Sequence, residues 1–205
     1  MKHMKTLGLL AVAVMALAAI FGTASASAAK FTAGKVGAKL TTETKVNHVF
    51  SVTGSNVECK SIAFEGSTEA LETESQIVHP SYKECTAFGF AATVNVINCK
   101  FTLQSNQTVT LKKTDTINKC RITIVVNNVF AQCEVEVGEQ SIAGAVSYSN
   151  GAGDINVKVN GSANIADTVL KSSGLCPLTV GSHSNSHYSG ESTVKAEGTT
   201  ITFDA

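Results

Sequence analysis

Hydrophobic and polar residues alternate along most of this chain, and the alternation is sharpest between Cys85 and Leu103. Val94 and Val96 alternate with Thr93 and Asn95. After Ile97-Asn98 the rhythm resumes as Cys99, Phe101 and Leu103 against Lys100 and Thr102. A period of two marks a strand with one face on a core. The Ile97-Asn98 pair shifts the phase, which predicts a bulge or bend in this strand. Cys99 shares the face of Phe101 and Leu103, so a disulfide formed there is expected to be buried with them.

The same pattern recurs on both sides. Val46, His48, Phe50 and Val52 share one parity, and Gly54-Ser55-Asn56 turns the chain into Val57-Glu58-Cys59. His48 therefore reads as a member of a half-buried strand. Residues 67–78 are ambiguous. Their Glu, Ala and Leu favour a helix that Ser67 could cap, but the apolar positions are too sparse for a helical stripe, and a strand is preferred. Glu69, Glu72 and Glu74 read as a solvated acidic face. Thr108–Lys113, Cys120–Val126 and Gln132–Val137 are one-face-in strands, with Glu134 and Glu136 opposite Cys133, Val135 and Val137; this favours antiparallel pairing.

Asn150 to Gly153 turns the chain into Ile155, Val157 and Val159, and Asn160-Gly161 turns it again into 163–170. Residues 171–187 form the longest polar loop, held by Cys176, and 188–196 with 199–203 supply the last two strands. Residues 29–45 read as an extended lead-in, only partly ordered. About a dozen strands separated by Gly/Asn turns predict a single all-β domain over 46–205, an antiparallel β-sandwich or a barrel-like body.

The first 28 residues change the picture by placing that domain outside the cytoplasm. Lys2, His3 and Lys5 precede an apolar run from Leu7 to Phe21, and Ala24-Ser25-Ala26 and Ala26-Ser27-Ala28 both satisfy the A-x-A cleavage preference. The run is shorter than the roughly 20 residues of a spanning helix. A signal peptide cut after Ala28, or next after Ala26, is expected, leaving no membrane anchor. Losing Lys2 and Lys5 takes the net charge from zero to −2. That balance disfavours nucleic acid and anionic membrane as partners.

Six cysteines, Cys59, Cys85, Cys99, Cys120, Cys133 and Cys176, all follow the leader. An even count in an exported chain reads as three disulfides. Structural zinc needs close pairs, and none is present. Sequential pairing, Cys59–Cys85, Cys99–Cys120 and Cys133–Cys176, is the preferred one of the 15 possible connectivities.

Tyr82-Lys83-Glu84-Cys85-Thr86-Ala87-Phe88-Gly89, Ala92 to Asn95 and Asn98-Cys99 form one distinctive set of residues. Cys133-Glu134-Val135, Gln140, Val146 to Asn150, Tyr188-Ser189-Gly190 and Thr193-Val194 form another. Together they resemble a family of uncharacterised secreted proteins of soil actinobacteria, over most of 46–198. The resemblance implies export, disulfides and a β-rich fold, and brings no activity, ligand or catalytic residue. Val137-Gly138-Glu139 departs from the Ile-Pro that often precedes the Gln in related chains.

The chemistry on offer is sparse. His183 and His187 would share a metal if they lay on a helix, but their Ser/Asn/Gly-rich surroundings predict a solvated loop, and no metal or other cofactor is expected. Serines, histidines and Asp115, Asp154 or Asp167 could compose a hydrolytic triad on paper, yet no G-x-S-x-G elbow accompanies them. The expected function is that of a secreted non-enzymatic protein with a structural or surface-interaction role. An extracellular ligand-binding module for an unknown protein or glycan is the alternative, with Tyr188, His183 and His187 as contact candidates, and an extracellular hydrolase comes third.

Overall fold

A computed structural model describes residues 28–161 and 163–205. The leader expected at 1–28 therefore lies, but for Ala28, outside the described residues. The rest is strand and turn throughout. Sixteen strands run in order: β1 Lys30–Ala33, β2 Lys39–Val52, β3 Ser55–Ser67, β4 Glu72–Thr73, β5 Ser75–Ala87, β6 Phe90–Ile97, β7 Cys99–Gln104 and β8 Val109–Lys113. They continue as β9 Arg121–Asn127, β10 Ala131–Gly138, β11 Gln140–Ile142, β12 Val146–Asn150, β13 Ile155–Val159, β14 Asn164–Gly174, β15 Gly181–Ala196 and β16 Ile201–Asp204.

The architecture follows from two long strands, β5 and β15, that each pair with two different neighbours along one edge. The half of β5 nearest its C-terminus pairs with β6, through Cys85↔Ala92 to Ala87↔Phe90, while its first half pairs with β7. Likewise β15 pairs through its first half with β14 and through its second with β13. Strand β6 then meets β9, from Thr93↔Val125 to Ile97↔Arg121. This closes the circuit β2-β3-β5-β6-β9-β10-β14-β15, an eight-stranded antiparallel barrel. Closure removes the exposed edges of an open sheet.

Beyond the barrel the same long strands carry an open sheet, with β7, β8 and β11 on one side and β13 and β12 on the other. Tyr148 Oη donates to the Gln104 carbonyl at 3.0 Å, drawing β12 toward the end of β7. A small sheet, β16-β1-β4, packs on this lobe through the rings of Phe31, Tyr148 and Phe203.

The disulfides are the expected three: Cys59–Cys85, Cys99–Cys120 and Cys133–Cys176. The first joins directly paired residues of β3 and β5. The second ties the start of β7 to the residue before β9, and its sulfurs are buried beside Phe101 and Leu103. The third pins the β14–β15 loop to β10. In the chain-entropy view each contributes about 3–4 kcal/mol by restricting the unfolded state.

Three expectations need correction. The stretch 85–103 is not one bulged strand. Asn98 takes a positive φ of 53° and ends β6, so that β6 and β7 join different neighbours. Residues 29–45 are not a loose lead-in, because β1 and the first half of β2 lie there, with Phe31 and Leu40 buried. The loop expected at 171–187 shrinks to 175–180, since Ser/Asn-rich residues on both sides pair as β14 and β15. His48 stands with Phe50 and Val52 on the buried face of β2, whose other face is partly exposed, and is itself fully buried.

The barrel's outer face carries Glu58, Lys60, Lys83, Arg121, Glu134 and Glu136. That is the opposite of the apolar, lipid-facing band of a membrane-spanning barrel.

Candidate functional site at the barrel mouth

Four hairpin connections converge on one end of the barrel because antiparallel neighbours turn back at the same level. They are the β2–β3 turn Thr53-Gly54, the β5–β6 turn Phe88-Gly89, the β9–β10 turn 128–130 and the β14–β15 loop 175–180. In the first two turns both central residues have positive φ: Thr53 46° with Gly54 82°, and Phe88 56° with Gly89 80°. These are the two-residue turns whose twist matches the flanking strands. Thr and Phe are poor residues for that conformation, so strain is stored at this end.

The β14–β15 loop folds back over the opening. Cys176 is tied to Cys133, Leu178 is buried in the core, and the Leu175 amide donates to the Phe130 carbonyl at 2.7 Å. Gly174 lets the two chains approach this closely, since a Cβ there would lie 2.2 Å from the Phe130 carbonyl oxygen. The mouth is thus plugged, and the plug turns other apolar side chains outward. Val129 is 89% exposed, Phe130 64%, Leu175 66% and Val180 59%.

The segments that build this end, 50–57, 85–99, 122–133 and 172–190, contain no Asp, Glu, Lys or Arg. At the chain-wide charged content of 16%, stretches of this total length would ordinarily carry several. Charges resume one level down the barrel, at Glu58, Glu84, Glu134 and Lys171. Exposed apolar side chains in a charge-depleted field have the composition of the core of a recognition surface.

The residues singled out from sequence fall elsewhere. Tyr188 is no surface contact. It is buried in the barrel, its ring stacked on Phe50 at 4.4 Å, because it sits on the inward parity of β15. Its Oη lies 2.7 Å from His48 Nδ1, while His48 Nε2 lies 2.9 Å from Ser192 Oγ. Burial lowers the His48 pKa to about 4, with only a backbone hydrogen bond at Glu191 opposing it. His48 is therefore neutral at pH 7, so one ring nitrogen accepts and the other donates. Burial also raises Tyr82 and Tyr188. Tyr82 Oη lies near Tyr188 yet has no partner in hydrogen-bond geometry.

His183 and His187 both lie on β15. Nε2–H of His183 donates to the Thr179 carbonyl at 2.9 Å, and Nδ1–H of His187 to the Ala163 carbonyl at 3.4 Å. They do not converge, and no group of three His, Cys, Asp or Glu among the described residues is placed to hold a metal. Asp167 sits opposite His183 in the β14–β15 register, with Ser186 near by. Its two carboxylate oxygens and Ser186 Oγ are buried without hydrogen-bond partners. Burial raises the Asp167 pKa, with the Ser186 hydroxyl and the His183 charge pulling it back. The residue types of a hydrolytic triad thus meet, but its acid and its hydroxyl are sealed inside the wall.

Two cavities frame the alternatives. An apolar one of about 60 Å³ lies between the two lobes, bordered by Phe64, Phe101, Leu111, Ile122, Val137 and Val157. It has the room of about two water molecules and no polar groups to hold them, so it is a packing gap. A surface recess of about 800 Å³ at the far end mixes Lys113, Lys119 and Arg121 with Glu136 and Glu139, and these charges partly neutralise one another.

What fold and site define is a disulfide-stapled, all-β barrel protein of the kind that folds in oxidising compartments. No protein-family model matches the chain, and no curated protein or solved structure matches it either.

Proposed function

We propose that this is a secreted, non-enzymatic protein that acts by surface interaction, and that the barrel mouth is its interacting face. The observation that carries this reading is the coincidence of Val129, Phe130, Leu175 and Val180, all exposed, with the charge-free segments of four hairpins. Leaving such side chains in water costs about 1.5–3 kcal/mol each relative to burial, which a partner would recover. Loops at the end of a rigid β scaffold are also where binding residues concentrate. The leader pattern and the likeness to secreted actinobacterial proteins belong to this proposal, as does extracellular localisation.

A non-enzymatic role fits the sealed Asp167 and Ser186 and the unconverged His183 and His187. The reading is tested by cosedimentation of the oxidised chain with intact cells of the organism that secretes it. Wild type is expected in the cell pellet, and a variant with Val129→Ser, Phe130→Ser and Leu175→Ser in the medium. Ile117→Ser, which removes an exposed apolar residue away from the mouth, is expected to behave as wild type. Equal partitioning of all three proteins would refute the assignment.

A further inference from the structure

The mouth has features that narrow its partner. Its exposed apolar side chains project from turns on two different hairpin connections, at 128–130 and 175–180, and stand 59% to 89% exposed. A projecting set of side chains does not enclose a small molecule. It also lacks what a sugar ring asks for. Among the described residues Phe130 is the one strongly exposed aromatic ring, and its own segment, 122–133, carries no carboxylate to bind hydroxyls.

The charge pattern gives depth as well as sign. On β3 the first charge, Glu58, comes four residues after Gly54, and on β10 Glu134 comes four residues after Phe130. Glu84 precedes Gly89 by five and Lys171 precedes Gly174 by three. At ~3.3 Å per residue and the usual strand tilt of a barrel, the charges on these four strands, which alternate in pairs with four strands whose first charges lie deeper, limit the charge-free band to about 10 Å. Interfacially bound apolar faces sink about 5–10 Å into the boundary of headgroups and acyl chains. The band ends where carrying a charge further into lipid would become costly.

From this match we infer that the barrel mouth seats itself in the interfacial layer of a lipid bilayer, with Val129, Phe130, Leu175 and Val180 as the inserted side chains. The inference rests on the mouth being the interacting face. No collar of Lys and Arg surrounds the band. The four charges nearest the turns are Glu58, Glu84, Glu134 and Lys171, and the deeper ones, Lys45, Lys100, Arg121 and Glu191, mix both signs. Binding therefore draws on apolar burial and does not need anionic headgroups. The rigid barrel and the Cys133–Cys176 tie hold Leu175 in place beside Phe130, which limits the ordering cost of insertion.

Vesicle flotation tests it, using oxidised chain purified from culture medium. Vesicles are of phosphatidylcholine alone, or of phosphatidylcholine with phosphatidylglycerol, each at low and high salt. The expected result is flotation with both lipids, insensitive to salt. Phe130→Ser combined with Leu175→Ser should lower the bound fraction about tenfold or more, while Ile117→Ser leaves it unchanged. Unaltered thermal melting of the variants shows that the fold is intact.

Failure to float with phosphatidylcholine would overturn the inference, as would flotation confined to anionic vesicles at low salt. A mouth-dependent dimer in sedimentation velocity without flotation would assign the face to a second copy. Cell binding that is lost in the mouth variants, without vesicle binding, would assign it to a protein or glycan and leave the mouth itself standing as the interacting face.

Discussion

Gly190 lies against the ring of His48, so close that a Cβ on it would stand 2.5 Å from two ring atoms. The glycine is where the β2–β15 register shifts, between Ser189 and Glu191. The irregularity thus makes room for a buried imidazole held by Tyr188 and Ser192. Gly190→Ala is expected to destabilise the chain by about 2–3 kcal/mol, since neither backbone nor ring has space to yield. Combining it with His48→Ala should cost less than the sum of the two single changes, a coupling of about 1–2 kcal/mol in urea titrations.

His48 also sets a pH dependence. Its folded pKa of about 4 lies below the unfolded value of 6.5. The unfolded chain therefore binds the proton first, and stability falls as pH drops from 6.5 toward 4. The loss amounts to about 3 kcal/mol across that window. His48→Gln should flatten this part of the stability curve, whatever its effect at pH 7.

Asp167 works in the opposite direction. Its pKa is raised by burial, so the folded chain holds its proton above the pH at which the unfolded chain releases it. Stability is lost as pH rises through the unfolded value and is regained on acidification. Asp167→Asn is expected to stabilise the chain at pH 7 by about 1 kcal/mol. The gain should vanish below the carboxylate range in melts taken at pH 3 and pH 7.

Thr53 occupies a turn position, with φ 46°, that Asn tolerates far better. Its side chain is exposed, so Thr53→Asn gives an Asn-Gly turn with nothing lost. A stabilisation of about 0.5–1 kcal/mol is expected in chemical denaturation. No change, or a loss, would contradict the strain assigned to this turn.

Much of the fold was legible in local pattern. Period two located most of the strands from Val46 onward, the even cysteine count supplied the three bridges, and the sequential pairing is the one found. What local pattern lacked was the partner of each strand. Nothing around Asn98 distinguishes a bulge from a break, because the two differ only in whether the next residues keep the same neighbour. The polar residues 171–187 read as loop because 171–174 pair with β10, remote in sequence, while 181–187 pair with β14 but carry no apolar alternation to mark a strand.

The site was less legible. Tyr188 shares its alternation with Ser186 and Gly190, so a weakly apolar face hid an inward-facing parity. The mouth had a readable signal in its charge-free intervals, but four intervals far apart in sequence become one surface only after closure brings their hairpins to one end.

That closure is the claim on which the mouth depends, and backbone NOE measurements on the oxidised chain test it most directly. The account predicts interstrand contacts between Thr93–Ile97 and Arg121–Val125, together with contacts between Leu40–Ser51 and His187–Ala196, in one and the same species. Rapid exchange of the β6 amides and no contact between β6 and β9 would mean an open sheet. Its hairpins would then share no mouth, and the interacting face proposed for them would not exist.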